Sequence, residues 1–331
     1  MSTPIRLGTR RSALAQAQSG HVAAALEKII GRSVELVPIT SEGDTNRASL
    51  SLIGGQGIFA TRLREALLAG ECDFLVHSLK DLPTAQPDGL VIAATPVRED
   101  ARDVAITRDG IPLHQLTPGS RIGTGSPRRI AQVHIRAPHA DVVDIRGNVD
   151  SRLQKVATGE LDAVILAAAG LSRLGSDSPL RREELGLAEW PTAPGQGSLA
   201  VETTTDADPE LLAALAALDD QQTRLAITVE RAILEGLDAG CQAPMAAHAV
   251  VAGSSVRVRT VVYAADGAQR IGLDVTEDLN GEYIHRSGSG NGADAADGAD
   301  PMHAARALGL NLARRLLEQG AADLVSREHS S

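Results

Sequence analysis

The chain has 331 residues, 43% of them hydrophobic and 22% charged, a balance that marks a globular protein too long for one core, so two or three domains are expected. A net charge of −10 and an aromatic content of 2% exclude a general nucleic-acid binder, which needs a basic surface and rings on which bases stack. No apolar run approaches the ~18 residues of a membrane span, and residues 1–7 lack the apolar segment and cleavage site of a signal peptide, so a cytoplasmic protein without a membrane partner is expected.

In chain order, residues 5–8 read as a short strand and 12–30 as a helix, with Leu14, Val22, Leu26 and Ile29 at helical spacing. Residues 34–40 return as a strand. A Gly-rich loop at 54–57 leads into a helix over 59–69, ended by Gly70, and 73–77 is the next strand. This βαβα order implies a mostly parallel sheet. A strand at 90–95 closes the first unit near Pro96. The pattern then restarts, with strands at 103–107, 121–123, 141–145 and 162–168 and helices beginning near Pro127 and Val149, so two α/β lobes facing a cleft are expected. Residues 190–197, with Pro191, Pro194, Gly195 and Gly197, read as a linker. Beyond it, 211–218 and 225–236 are helical, 249–263 and 271–276 strand-like, and 301–319 a final amphipathic helix, making a third, α+β domain. Residues 287–300 form a Gly/Ala/Asp/Ser tract too polar to pack, which reads as a surface loop.

Three strand-to-helix junctions carry arginine. Thr124-Gly125-Ser126-Pro127-Arg128-Arg129 opens a helix, with Ser126 placed to cap it and Pro127 at its first position. Free backbone N–H groups and the helix dipole favour an anion there, and two arginines add forked donors, although an ordinary capped helix reads the same way. Arg146-Gly147-Asn148-Val149, with Arg152, repeats the arrangement, and Arg10, Arg11 and Ser12 form the third set. Ligands of open α/β sheets collect beside the carboxyl ends of strands, so these sets should face one crevice. Arginine supplies 29 of the 32 basic residues; a composition bias explains that excess but would scatter it over solvent faces of helices. A polyanionic ligand follows, and arginine suits planar carboxylates.

His77-Ser78-Leu79-Lys80-Asp81-Leu82-Pro83 leaves a strand and turns polar at its end. Asp81, the only carboxylate of this turn, reads as an Asx-turn or a partner of Lys80, or, in an arginine-lined cleft, as the stabiliser of a cationic intermediate. Ser78 and Lys80 can add hydrogen bonds to a ligand, and His77 reads as structural. Of the two cysteines, Cys72 beside a core strand fits a small core residue, whereas Cys241 sits in the turn Asp238-Ala239-Gly240-Cys241-Gln242-Ala243-Pro244, where a reactive or modified thiol is expected. No Cys or His lies near it at ligand spacing, so no metal site is expected.

Eight segments, in order, resemble the porphobilinogen deaminases, also called hydroxymethylbilane synthases. They are Gly8-Thr9-Arg10-Arg11-Ser12, Gly54-Gly55-Gln56-Gly57-Ile58-Phe59, residues 77–83, residues 124–129, Arg146-Gly147-Asn148-Val149, Ala167-Ala168-Ala169-Gly170-Leu171, Pro194-Gly195-Gln196-Gly197, and Gly240-Cys241-Gln242-Ala243-Pro244. The resemblance implies an α/β fold of two doubly wound lobes built like periplasmic binding proteins, plus a small α+β third domain. Residues 1–96 with 198–218 would form domain 1, 101–193 domain 2 and 220–331 domain 3. It also implies a transferase that links four porphobilinogens head to tail, releasing ammonia, on a dipyrromethane cofactor held by a thioether to Cys241. Asp81 would be the catalytic carboxylate. Ser78, Lys80, Thr124, Ser126, Arg128, Arg129 and Arg146 would bind the cofactor, and Arg10, Ser12, Arg146, Arg152 and Arg173 the substrate. Each pyrrole bears an acetate and a propionate, which explains the arginines, and the azafulvene left by loss of ammonia is a cation that Asp81 can stabilise. A monomer that hands its product to a uroporphyrinogen-III synthase is the implied state.

Departures from the family pattern exist: Leu52 and Gln56 stand where members often carry lysines, and Gly125 and Pro127 replace a more usual Ser and Leu. The rival from another class is a two-lobed polycarboxylate-binding protein without catalysis, which leaves the third domain and Cys241 unexplained. A thiol-dependent hydrolase is a weaker rival, since no His adjoins Cys241 in sequence.

Overall fold

Strands and helices alternate in the computed structural model, which describes residues 3–40, 58–175, 180–238, 243–279 and 300–326. The loop at 54–57, Leu52, Cys241 and residues 287–299 of the polar tract lie outside the described residues. The strands are β1 (Ile5–Arg10), β2 (Val34–Ile39), β3 (Phe74–Ser78), β4 (Leu90–Ala94), β5 (Asp103–Thr107), β6 (Arg121–Gly123), β7 (Asp141–Val143), β8 (Ala163–Ala167), β9 (Arg181–Leu185), β10 (Leu199–Thr204), β11 (Met245–Ala252), β12 (Ser255–Tyr263) and β13 (Arg270–Asp278).

Two five-stranded sheets have the orders β2-β1-β3-β10-β4 and β7-β6-β8-β5-β9. In each, the first three strands are parallel and the fourth is antiparallel to its neighbours. That fourth strand is the one reached by crossing between sheets: the chain enters the second sheet on β5 and returns to the first on β10. Helices cover both faces, which is why β3, β5 and β8 are contiguous apolar runs instead of alternating ones. On the first sheet, Val22, Ala23 and Leu26 of the helix Ala13–Ile30 pack on Leu7 and Phe74, while Leu63, Ala66 and Leu67 of the helix Ile58–Leu68 pack on Leu75 and Ile39 from the other side. The inward stripe of the first helix differs from the expected one. Gln18 and Ser19 are buried and Ile29 is exposed, because Ile30, one position on, turns toward the core.

The third sheet, β11-β12-β13, is an antiparallel meander under the helices Gln221–Gly236 and Pro301–Glu318. The expected single strand over 249–263 is two, broken at Gly253, whose φ of 63° makes the hairpin turn. Among the described residues, no helix is long and apolar enough to cross a membrane.

The two crossovers touch. Glu99 N donates to Gly197 O at 3.2 Å, and a Cβ on Gly197 (φ 89°) would stand 2.4 Å from Glu99 O, so this contact admits only glycine. Fully buried Glu230 ties the contact to the third domain: it accepts from Arg98 (2.6 and 3.1 Å), from Gly195 N (2.7 Å) and from Ala249 N on β11 (2.7 Å). Residues 190–197 carry no helix or strand, as expected of a linker, but Trp190, Thr192 and Gln196 within it are buried.

Glu202 on β10 is a second interior carboxylate, accepting from Arg64 (2.9 and 2.7 Å) and Gln86 (3.2 Å), with His77 Nε2 at 3.2 Å. Burial alone would raise its pKa, but His77 and Arg64 outweigh that and hold it at about 2. A depressed carboxylate stabilises the fold above the usual glutamate range and loses that contribution as the pH falls through its folded value. The gap in Tm between wild type and Glu202→Gln is therefore expected to be widest above about pH 5 and to narrow steadily in more acid buffers. Thermal melts across that range check it; a constant gap would mean that Glu202 contributes by packing alone.

Candidate active site

Because β1 and β3 are parallel neighbours, their carboxyl ends lie side by side. Arg10 ends β1, and Ser12 caps the following helix, its Oγ accepting from Ala15 N at 3.3 Å. Ser78 ends β3 with its Oγ 3.0 Å from Gln18 Nε2. A 3-10 turn, Leu79–Asp81, follows. Its geometry is fixed from several directions: Leu79 and Leu82 are buried, Leu79 N donates to Ser198 O at 3.0 Å, and Arg231 donates to Leu82 O (3.1 Å) and Pro83 O (2.5 Å). Lys80 is left half-buried and Asp81 exposed.

On the second sheet, β6, β7 and β8 are parallel and likewise share one end. Thr124, just past β6, is buried, and Pro127 opens the helix Pro127–Arg136 as expected. Ser126 occupies the cap position, but its side chain makes no cap hydrogen bond, which corrects the expectation. Thr124 Oγ1 instead accepts from Ser126 N at 3.2 Å.

Arg128 and Arg129 are buried and converge on Asp103, the first residue of β5. Arg128 Nη1 reaches Asp103 Oδ2 at 2.8 Å, Gln132 Oε1 at 2.7 Å and Pro191 O at 3.3 Å. Arg129 donates to Asp103 through Nη2 (2.6 Å) and Nε (3.2 Å), and to Ile165 O at 3.0 Å. Trp190 Nε1 (2.9 Å) and Gln196 Nε2 (2.8 Å) complete the shell of Asp103. Burial alone would raise the pKa of Asp103, but the two guanidinia overwhelm that and keep it far below the usual carboxylate range. Two cations thus share one interior anion.

Arg152 donates to Gly147 O at 3.0 Å. Its pKa is lowered by burial and by the charges of Arg129 and Arg146, with Asp144 opposing, so guanidinia from two different strand ends meet in one field. Lys80 is pushed down to about 8 by burial and then by Arg129, against the opposing pull of Asp81 and Asp103. The structure therefore brings Lys80 of one lobe within electrostatic reach of Arg128, Arg129 and Asp103 of the other. Arg173, on the helix Ala168–Leu174, points to the crossovers instead, donating to Gly197 O at 2.7 Å; burial lowers its pKa and Glu99 opposes. Among the described residues, no cluster of three or more His, Cys, Asp or Glu could hold a metal ion.

Two family models match the chain. Residues 5–212, which carry both five-stranded sheets, match the family described as porphobilinogen deaminase, dipyromethane cofactor binding domain. Residues 224–318, which carry the third sheet, match porphobilinogen deaminase, C-terminal domain. The chain belongs to the porphobilinogen deaminase family. It is 48% identical over 340 residues to porphobilinogen deaminase 1 of Streptomyces avermitilis, with 98% of each chain covered. It is 49% identical over 330 residues to porphobilinogen deaminase 1 of Streptomyces coelicolor, with 97% of each covered. Among solved structures, it is similar at 15% identity and a TM-score of 0.41 to an ABC transporter periplasmic substrate-binding protein from Coxiella burnetii, over 66% of this chain and 93% of that one.

Sequence reasoning did not single out Asp103, Trp190 or Gln196. Asp103 begins an apolar strand and reads as an ordinary edge residue. Gln196 did stand inside one of the eight segments of resemblance, the only signal that could have found it.

Proposed function

We propose that this chain joins four porphobilinogen molecules head to tail, with loss of ammonia, to give the linear tetrapyrrole hydroxymethylbilane. Membership in the family makes it a deaminating transferase of porphyrin biosynthesis that carries a dipyrromethane cofactor. The match of both family domains across nearly the whole chain carries the reading, and nothing favours the rival of a polycarboxylate binder without catalysis.

The residues present suit a cofactor rich in carboxylates. Lys80, Arg128, Arg129, Arg146 and Arg152 outnumber the carboxylates of Asp81, Asp103 and Asp144 around them, and Arg128 Nε is buried with no hydrogen-bond partner among the described residues. When bound, the cofactor supplies the free pyrrole α-carbon from which the product grows. Cys241 anchors it by a thioether, while Ser78, Lys80, Thr124, Ser126, Arg128, Arg129 and Arg146 hold its acetates and propionates. Arg10, Ser12, Arg146, Arg152 and Arg173 hold those of the incoming substrate. Asp81 stabilises the positive charge left on the substrate carbon as ammonia departs, and accepts the proton released afterwards.

We assign residues 1–96 with 198–218 to domain 1, 101–193 to domain 2 and 220–331 to domain 3; the pairing of β10 with β3 and β4 supports the return to domain 1. Following the family resemblance, we take the enzyme to be a cytoplasmic monomer that passes its unclosed product to a uroporphyrinogen-III synthase.

The test is incubation of the purified protein with porphobilinogen. Release of one ammonia per porphobilinogen consumed and formation of an acid-cyclisable linear tetrapyrrole are expected. Binding of porphobilinogen without ammonia release would overturn the assignment.

A further inference from the structure

We propose that Gln196 is a positioning residue for Lys80, presenting one fixed acceptor that aims its ammonium into the cleft between the lobes. The proposal rests on the reading of Lys80 as a donor to the cofactor.

Gln196 is buried at 1% exposure, and its backbone is pinned by Arg98 Nε donating to its carbonyl at 2.8 Å and by its own N–H to Ala193 O at 3.0 Å. The side chain admits one orientation. Nε2 lies 2.8 Å from Ala101 O and 2.8 Å from Asp103 Oδ1. Both are acceptors only: one is a carbonyl, and the other is a carboxylate kept ionised by Arg128 and Arg129. Both amide hydrogens are therefore used, and a flipped amide would set Oε1 against two acceptors. Oε1 must face outward, where it accepts from Lys80 Nζ at 3.3 Å. An ammonium has three donors. With one held by Gln196, the others are directed away from it, toward a carboxylate bound in the cleft.

The charged groups acting on Lys80 come from three elements: Asp81 on its own turn, Arg128 and Arg129 on the helix Pro127–Arg136, and Asp103 on β5. Burial and the two arginines bring Lys80 down to about 8, where loss of one neutral acceptor decides how much ammonium remains near neutral pH. Asp103 thereby acts twice, orienting the arginine pair and, through Gln196, the lysine of the opposite lobe.

The chain contains three lysines, Lys28, Lys80 and Lys155, so the Cε resonances of isotope-labelled lysine in the cofactor-loaded protein can be followed individually, with Lys80→Arg identifying the signal. Bound carboxylates raise the Lys80 midpoint from the value of about 8 that burial and the arginines give it without them. In Gln196→Leu its midpoint should fall by about one unit, a tenfold change in the ionisation constant, because the charged form loses an acceptor. Gln196→Asn, too short to span Asp103 and Lys80 yet milder in the core, should shift it in the same direction by less. A Lys80 midpoint that is the same in wild type and both variants would make Gln196 a packing residue only and overturn the proposal. If Lys80→Met, which has neither charge nor donor, retains full cofactor content and turnover, the cofactor reading of Lys80 is what fails, and the titration still decides for or against Gln196.

Discussion

Cys241→Ala is expected to give a folded protein with no covalently bound pyrrole and no tetrapyrrole synthesis. The chain has two cysteines, and the structure removes one from contention. Cys72 is 2% exposed under the helix Ile58–Leu68, and burial pushes its thiol up to about 11, which leaves almost no thiolate at neutral pH. A thioether to Cys72 would also have to place a two-ring adduct inside a packed core. Cys241 remains, in the stretch of sequence between the helix Gln221–Gly236 and β11. Denatured wild type should stain with Ehrlich's reagent and carry a mass above that of the bare chain, and Cys72→Ala should behave the same way. Cys241→Ala should be unstained, at bare mass, with a Tm close to that of a cofactor-free wild type. Equal staining of the two variants would remove Cys241 as the anchor.

How far the fold was legible follows from what each strand buries. Strands covered on both faces, such as Phe74–Ser78 and Ala163–Ala167, are short apolar runs between turn residues and were read directly from the sequence. Two strands were not. Arg181–Leu185 sits at a sheet edge with charged residues on most positions, so neither alternation nor an apolar run marks it. Leu199–Thr204 is central, but Glu202 interrupts its apolar run, and a lone acid inside a strand signals a surface until its partners are known. Those partners, Arg64 and His77, lie 138 and 125 residues earlier.

The site divides in the same way. Arginines at strand ends were visible because strand-to-helix junctions are local features with a known bias for anions. Their counter-ion was not, since Asp103 is 25 and 26 residues from Arg128 and Arg129 and 93 from Gln196. The structure also changes what the Arg128-Arg129 pair can do. Much of its hydrogen-bonding capacity is committed to the protein interior, so its pull on a ligand is that of a positively charged wall more than of two open forks.

Asp81→Asn is expected to lower turnover by on the order of a hundred- to a thousandfold, the usual loss when one preorganised electrostatic stabiliser is removed, while leaving cofactor content intact. Two carboxylates act on Lys80, and only one of them can serve an incoming cation. Asp103 is fully buried, and five donors already occupy it: Arg128 Nη1, Arg129 Nη2 and Nε, Trp190 Nε1 and Gln196 Nε2. A carboxylate has about four lone-pair sites, so Asp103 has nothing left to offer. Asp81 is exposed, and its turn is held on both sides by the buried Leu79 and Leu82 and by Arg231 on the following carbonyls. An accessible charge on a turn whose backbone is held is what a developing cation requires, because little reorganisation is needed at the moment of reaction. Asparagine keeps the size and much of the hydrogen bonding but removes that charge. Since exposed substitutions of this kind change stability by about 0.5 kcal/mol or less, a lost rate would not be a lost fold. The measurement is ammonia release from porphobilinogen by cofactor-loaded protein, alongside Ehrlich staining and a thermal melt. The stain and Tm should match wild type while the rate collapses. Near-wild-type ammonia release from Asp81→Asn would take Asp81 out of the mechanism.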